Sequence, residues 1–364
     1  MSSDNVTSAS EGTEQSVVFS RTGAIGHIML NRPKALNALD LSMVDAMAAQ
    51  LRVWENDSSV AVVVIEGAGE KAFCAGGDIR GLYDARKRGD DVLLDAFYRR
   101  EYCLNNYIAT YPKPYVALMD GITMGGGVGV SIHGRFRVVT ERTLFAMPET
   151  GIGFFPDVGG GYFLPRCPGE IGMYLGLTGA RIKAEDCLYT GLATHGVKAD
   201  QIASLKADLV NMDRGDNAFA VVQKILDTHN SEFHDGMLES VRGEIDELFG
   251  KKSVIDIFAG MSSSTSTFAM ETAKILRTKS PIAVCLAYEQ IRQGRDMTLE
   301  QVLVMEFRLA QRTVCKPDLF EGVRAVIVDK DHSLQWQHAD VGQVDPREVA
   351  EYFDPLPAEK ELKL

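Results

Sequence analysis

Hydrophobic residues in the first half of the chain come in short blocks. Val60-Ala-Val-Val-Val-Ile65 is a continuous β-branched run, the pattern of a strand buried on both faces. Ile25–Leu30, Tyr115–Met119 and Arg135–Thr140 read as further strands. Between the blocks the spacing changes. Met43, Met47, Leu51 and Trp54 recur at helical steps and predict a helix over Ser42–Trp54, with Ser42 near its start. Strands separated by helices predict an α/β fold with crossover connections. From Ala199 onward the pattern is nearly all helical, with candidate helices over 199–212, 217–229, 236–249, 266–278, 281–293 and 298–314. A final β-like run, Val323–Val328, closes the chain. No repeat of fixed period is visible. The expected organisation is a disordered leader (1–15), an α/β core (16–198) and a mostly helical C-terminal region (199–364).

Composition narrows the function. The chain has 364 residues, 45% of them hydrophobic, enough for one large core or two modest ones. A net charge of −12 argues against a broad basic face, and so against nucleic acid or an anionic membrane as partner. No apolar run approaches the ~20 residues that span a bilayer. Met1–Gln15 is rich in Ser, Thr and Glu, and the first basic residue is Arg21, which is neither a secretory signal nor an Arg-rich transit peptide. A cytoplasmic location of bacterial type is expected, or the mitochondrial or peroxisomal matrix if the source is eukaryotic. The C-terminal Leu362-Lys-Leu364 departs from the peroxisomal Ser-Lys-Leu at its first position. The cysteines Cys74, Cys103, Cys167, Cys187, Cys285 and Cys315 are scattered, without a C-x-x-C pair or a nearby His pattern. They read as reduced thiols, and neither a metal site nor a disulfide framework is expected.

Candidate chemistry concentrates in Met147-Pro-Glu-Thr-Gly-Ile-Gly-Phe-Phe-Pro-Asp-Val-Gly-Gly-Gly161. Glu149 and Asp157 stand on either side of glycines, a Phe pair and a proline. Apolar neighbours penalise the charged form of a carboxylate, which tunes it as a base or nucleophile near neutral pH. The structural alternative has Glu149 ending a strand in an ion pair and Asp157 capping the next helix. Two glycine-rich segments favour the chemical reading. Lys71-Ala-Phe-Cys-Ala-Gly-Gly-Asp-Ile79 and Gly121-Ile-Thr-Met-Gly-Gly-Gly-Val-Gly129 each follow a strand and read as strand-to-helix junctions. Free N–H groups at such junctions can bind a developing oxyanion. Neither segment is a phosphate loop or a spaced dinucleotide fingerprint.

Together with Leu30-Asn-Arg-Pro-Lys-Ala-Leu-Asn-Ala-Leu39, these segments resemble the crotonase (enoyl-CoA hydratase/isomerase) superfamily. The resemblance implies a spiral of ββα units acting on acyl-CoA thioesters, with coenzyme A as part of the substrate and no separate cofactor. By position, Gly77 and Gly126 are the oxyanion donors. Hydratases of the family carry a glutamate three residues after the second of these glycines, where this chain has Gly129. Their other glutamate is matched by Glu149, and Asp157 is additional. That departure, and matching phrases such as Glu101-Tyr-Cys-Leu-Asn105 and Val328-Asp-Lys-Asp331, resemble the branch that hydrolyses short branched 3-hydroxyacyl-CoA thioesters in valine breakdown.

The resemblance implies Glu149 as nucleophile or general base, and Asp157 as the group holding the substrate hydroxyl, the water or Glu149 itself. Glu101 joins Gly126, Glu149 and Asp157 around the acyl group. Lys34, Ala35, Leu36, Ala75, Asp78 and Ile79 are expected to meet coenzyme A, with Lys330 at its phosphates. A hydratase or isomerase using Glu149 alone is the first rival. A non-catalytic scaffold binding coenzyme A or a protein is the second. For the helical half, the family offers trimerisation into a homo-oligomer, and the extra length offers capping of the chain's own active site.

Overall fold

The computed structural model describes residues 15–213 and 217–364. The expected leader, 1–15, lies outside them except for Gln15. The strands are β1 (Val17–Thr22), β2 (Ile25–Leu30), β3 (Val62–Gly67), β4 (Ala72–Cys74), β5 (Tyr115–Met119), β6 (Ile122–Met124), β7 (Phe136–Val139), β8 (Leu144–Ala146) and β9 (His195–Gly196). They build a larger sheet in the order β1-β2-β3-β5-β7-β9 and a smaller one in the order β4-β6-β8. β1 and β2 form an antiparallel hairpin, and every later pairing is parallel. Each turn of the chain lays one strand in the larger sheet and one in the smaller, then continues into helix: β3-β4, β5-β6 and β7-β8. This is the ββα spiral that the resemblance implies.

The strand expectations hold within two residues at each end. The helix at 42–54 runs Leu41–Glu55, and its cap is Asp40, whose carboxylate accepts from Met43 N–H. The strands of the smaller sheet escaped the pattern because each has only three residues. The two glycine-rich segments therefore contain a strand, β4 or β6, ahead of the helical turn. The last β-like run is not a strand. Pro317 opens a helix over Pro317–Val323, which continues as a π turn through Arg324–Val328. The Arg324 guanidinium binds Glu321 one turn back and Asp329 and Asp331 ahead, fixing the helical winding of a β-branched run. All six expected C-terminal helices form. Val254–Ser263 and Pro346–Phe353, capped by Ser253 and Asp345, add to them.

Alternate residues of the larger sheet face opposite layers. Val63, Ile65 and Ala117 join the main core with Met43, Met47 and Leu51. Val62, Val64, Val116, Leu118 and Val138 face a second core, closed by Leu205 and Leu209 of the Ile202–Val210 helix and Val222 and Leu226 of the Ala218–His229 helix. Chain beyond residue 198 thus covers a face of the sheet that no earlier helix reaches. Removing a fully buried leucine there tests that attachment. Leu205→Ala is expected to cost about 2–5 kcal/mol in chemical denaturation. A loss below about 1 kcal/mol would mean that the helix rests on the sheet without packing into it.

Candidate active site

Four elements bring the predicted acids together. The Asp91–Ala109 helix carries Glu101 and Tyr102, both buried. The turn Glu149–Ile152 follows β8 and opens on Glu149. Asp157 sits in the loop before the short Gly160–Phe163 helix. The Gly125–Gly126 turn follows β6. Glu101, Glu149 and Asp157 are 2%, 7% and 6% exposed. A methyl group added at Gly126 would lie 2.6 Å from Glu101 Oε1 and 3.1 Å from Gly77 N, and one at Gly125 would lie 3.0 Å from Glu149 Oε1. Only glycine backbone leaves that space open. Gly77 N–H and Gly126 N–H donate to no acceptor among the described residues. The loops around them are cross-braced, with Leu39 N–H donating to Gly76 O at 2.9 Å and Asp78 N–H to Leu39 O at 2.7 Å.

Burial dominates the electrostatics. It raises the Glu149 carboxyl well above its usual range, the Asp157 charge adds to this, and Lys279 opposes it. Glu101 is raised the same way, by burial and then by Asp157. Asp157 is pushed up to about 7 by burial, against a hydrogen bond of 2.9 Å from Tyr102 O–H to its Oδ2. Glu101 Oε1 and Glu149 Oε2 have no hydrogen-bond partner among the described residues. Among the described residues neither structural alternative is seen: Glu149 makes no ion pair, and Asp157 gives its side chain to Tyr102 rather than to a helix N-terminus. Phe154 stacks between Phe155 and Tyr98, at centroid distances of 4.4 and 5.6 Å, and all three rings are buried.

Position 129 has no room for an acid. A methyl group on Gly129 would lie 2.8 Å from Val158 Cβ and 2.9 Å from Asn105 Nδ2. Val158 itself holds a left-handed backbone, φ 51°, which is uncommon for a β-branched residue.

The proposed coenzyme A contacts form a separate rim. Lys34 and Ala35 are exposed in the Pro33–Ala35 turn, and Leu36 continues it with φ 51°. Ala75 N–H donates to Leu36 O at 3.0 Å, so the rim's two loops are paired. Asp78 is less available than its sequence position suggests. Its carboxylate caps the Ile79–Lys87 helix and pairs with Arg32 at 2.8 Å. Ile79 borders a narrow apolar pocket with Leu82, Tyr83, Tyr98 and Phe320. Lys330 is exposed just past the π turn, away from the three acids in sequence, with φ 57°. His133 ends the Gly126–Ile132 helix, its ring bound to Val158 O and held neutral by burial, with its pKa lowered to about 4. Cys74 is buried and its thiol is pushed up to about 12, so it is no nucleophile.

Sequence reasoning missed Tyr102, Lys279, Gln290 and Glu306. Gly159 N–H and Gly161 N–H donate to the two oxygens of Glu306 at 2.7 and 2.8 Å. A signal existed for Glu306: an acid in the apolar stripe Val302, Leu303, Phe307, Ala310 of an amphipathic helix.

A family model described as enoyl-CoA hydratase/isomerase matches residues 25–353. A Danio rerio protein named 3-hydroxyisobutyryl-CoA hydrolase, mitochondrial, is 48% identical over 362 residues, covering 98% of this chain and 93% of its own. The Xenopus tropicalis protein of that name is 46% identical over 352 residues, covering 95% and 90%. Among solved structures, an enoyl-CoA hydratase from Rhodobacter sphaeroides 2.4.1 superposes with a TM-score of 0.88 at 39% identity, covering 96% of this chain and 100% of its own.

The raised Asp157 carboxyl has a consequence for stability. A pKa lifted in the folded state contributes stability that is full below the unfolded value of 3.8 and is lost as pH rises to and through about 7. Asp157→Asn removes the penalty. The variant is expected to gain on the parent between pH 4 and pH 8 by up to about 4 kcal/mol, at about 1.4 kcal/mol per pK unit. Denaturant melts at both pH values measure the difference. A gap that does not widen would mean that Asp157 ionises as easily folded as unfolded.

Proposed function

We infer the reaction from one premise: this chain belongs to the enoyl-CoA hydratase/isomerase family. Within it, the chain is an acyl-CoA thioester hydrolase that cleaves 3-hydroxyisobutyryl-CoA to 3-hydroxyisobutyrate and coenzyme A, a step of valine breakdown. The carrying observation is a site with buried Glu149 and Asp157 and a position 129 already filled by Val158 and Asn105. A hydratase flanks its water with two acids, and the second cannot come from 129 here.

In the mechanism we propose, the thioester carbonyl oxygen lies against Gly77 N–H and Gly126 N–H. Those donors stabilise the negative charge that grows on the oxygen, and losing one such donor typically costs about 100- to 1000-fold in rate. Ionised Glu149 takes one of two routes. As nucleophile it attacks the carbonyl carbon and expels the coenzyme A thiolate; water then cleaves the resulting anhydride. As general base it removes a proton from a water that attacks directly. Each route consumes one water and ends with one carboxylic acid and one thiol. The thiolate needs a proton, and the water consumed releases one, which Glu149 or Asp157 can carry to it.

A 3-hydroxyl group suits this pocket. It is a hydrogen-bond donor, and the buried carboxyls of Glu101, Glu149 and Asp157 offer it acceptor oxygens. A substrate without it leaves those acceptors unpaired, which discriminates strongly. The coenzyme A chain runs along Lys34, Ala35, Leu36, Ala75, Asp78 and Ile79, with Lys330 near its phosphates. No helix among the described residues is long and apolar enough to cross a membrane. The relatives carry mitochondrial names, and the matrix is the proposed compartment for a eukaryotic source, the cytoplasm for a bacterial one.

The test follows free thiol with a thiol-reactive dye. Rapid release is expected from 3-hydroxyisobutyryl-CoA, and slower or comparable release from 3-hydroxypropionyl-CoA. Loss of the enoyl absorbance of crotonyl-CoA without thiol release would instead establish the hydratase suggested by the name of the Rhodobacter structure. Glu149→Gln is expected to abolish release, and near-parent turnover by that variant would remove Glu149 from the chemistry.

A further inference from the structure

The fully buried acid Glu306 lies in the Leu299–Thr313 helix, far along the chain from the site residues. Val302, Leu303 and Phe307 beside it in that helix are fully buried apolar residues. The Glu306 oxygens accept from Gly159 N–H at 2.7 Å and Gly161 N–H at 2.8 Å. Gln290, from the Pro281–Gly294 helix, donates its Nε2 to Glu306 Oε1 at 2.8 Å and to Pro156 O at 2.6 Å. Pro156 and Gly159 are the residues on either side of Asp157-Val158. The dipeptide is thus suspended between two points, and both are pinned by the helical half.

Two further contacts fit this arrangement. Val158 keeps its left-handed backbone with its carbonyl accepting from His133 Nε2 at 2.8 Å. Such strain costs on the order of 1–3 kcal/mol and persists only where the surroundings over-determine it. Tyr102, which donates to Asp157 Oδ2, packs its ring edge-on against Phe307, the neighbour of Glu306. One helical turn therefore touches both the backbone and the side-chain support of Asp157.

We propose that Glu306, with Gln290, is a positioning residue that fixes the Asp157 carboxyl in the acyl pocket, so that the helical region acts on catalysis through a backbone clamp. The clamp needs two acceptor oxygens, because both accept from N–H groups; an amide at 306 turns an N–H₂ toward one of them. The inference rests on the proposed role of Asp157 and adds to it the residue that holds Asp157 in place.

The experiment is a double-mutant cycle on the full chain with 3-hydroxyisobutyryl-CoA, using Glu306→Gln, Asp157→Asn and the double variant, with kcat given per folded enzyme. Glu306→Gln is expected to lower kcat by about 10- to 100-fold, the scale of a sub-ångström to 1 Å misplacement, with KM changed by less than about threefold. In the Asp157→Asn background the same change is expected to cost almost nothing, because the group it positions is gone. Losses that multiply in the double variant would overturn the proposal, as would a Glu306→Gln enzyme with parent kcat. If Asp157→Asn alone keeps parent kcat, the role given to Asp157 fails, and the clamp with it. Should Glu306→Gln not fold, Gln290→Met removes the bond to Pro156 O, and the same cycle decides by the same outcomes.

Discussion

Carboxyl groups held out of water, with little positive charge beside them, are the condition on which the rest of this structure depends. Glu101, Glu149, Asp157 and Glu306 are all buried, and burial is the largest influence on each. A buried charge without a partner is expensive, so such a cluster survives only where neutral donors surround it or protons are shared. Both devices are present. Glu306 has two glycine N–H groups and Gln290, and Asp157 has the Tyr102 hydroxyl. Among the described residues, Glu149 Oε2 and Glu101 Oε1 are left without a hydrogen-bond partner, and Glu101 Oε1 is the atom that a methyl group on Gly126 would meet.

Holding these acids takes the whole chain. The turn of Glu149 is gripped from the helical half: Ser280 N–H donates to Thr150 O at 3.0 Å, and Ser280 Oγ to Asp318 Oδ2 at 2.6 Å. A methyl group at Gly322 would lie 2.4 Å from the Ile152 backbone, so the Pro317–Val323 helix sits directly on that turn. The loop of Asp157 is gripped by Gln290 and Glu306. The helical region thus braces both loops that carry the acids, that of Glu149 and that of Asp157.

Much of this was legible in the sequence, for physical reasons. Glu149 and Asp157 stood out because acids among Phe, Pro and Gly fit neither a surface loop nor a core strand. The two glycine-rich segments stood out because glycine after a strand leaves N–H groups open, and the family resemblance singled out Gly77 and Gly126 within them. Strands such as Ile25–Leu30 and Tyr115–Met119 were long enough for their pattern to speak. The smaller sheet was hidden, since three-residue strands carry no periodicity. The run at 323–328 misled, because β-branching favours strand locally while Pro317 and the Arg324 ion pairs decide for helix. Partners such as Glu306 and Tyr102 were invisible for a deeper reason. Their significance lies in what they touch, and contacts across 145 and 55 residues of chain leave no trace in local spacing.

That long reach has a meaning for the order of events during synthesis. The sheets and the glycine turns are complete once residue 196 has been made, yet the loop bearing Asp157 meets its clamp only when residues 290 and 306 arrive. A nascent chain that already holds the glycine turns, Glu149 and Asp157 still lacks their braces. The loop of Asp157 stays unpinned, and three acids bound for the interior, Glu101, Glu149 and Asp157, can still reach water. The ribosome must deliver most of the polypeptide before the site can close, so activity and completion of the chain come together.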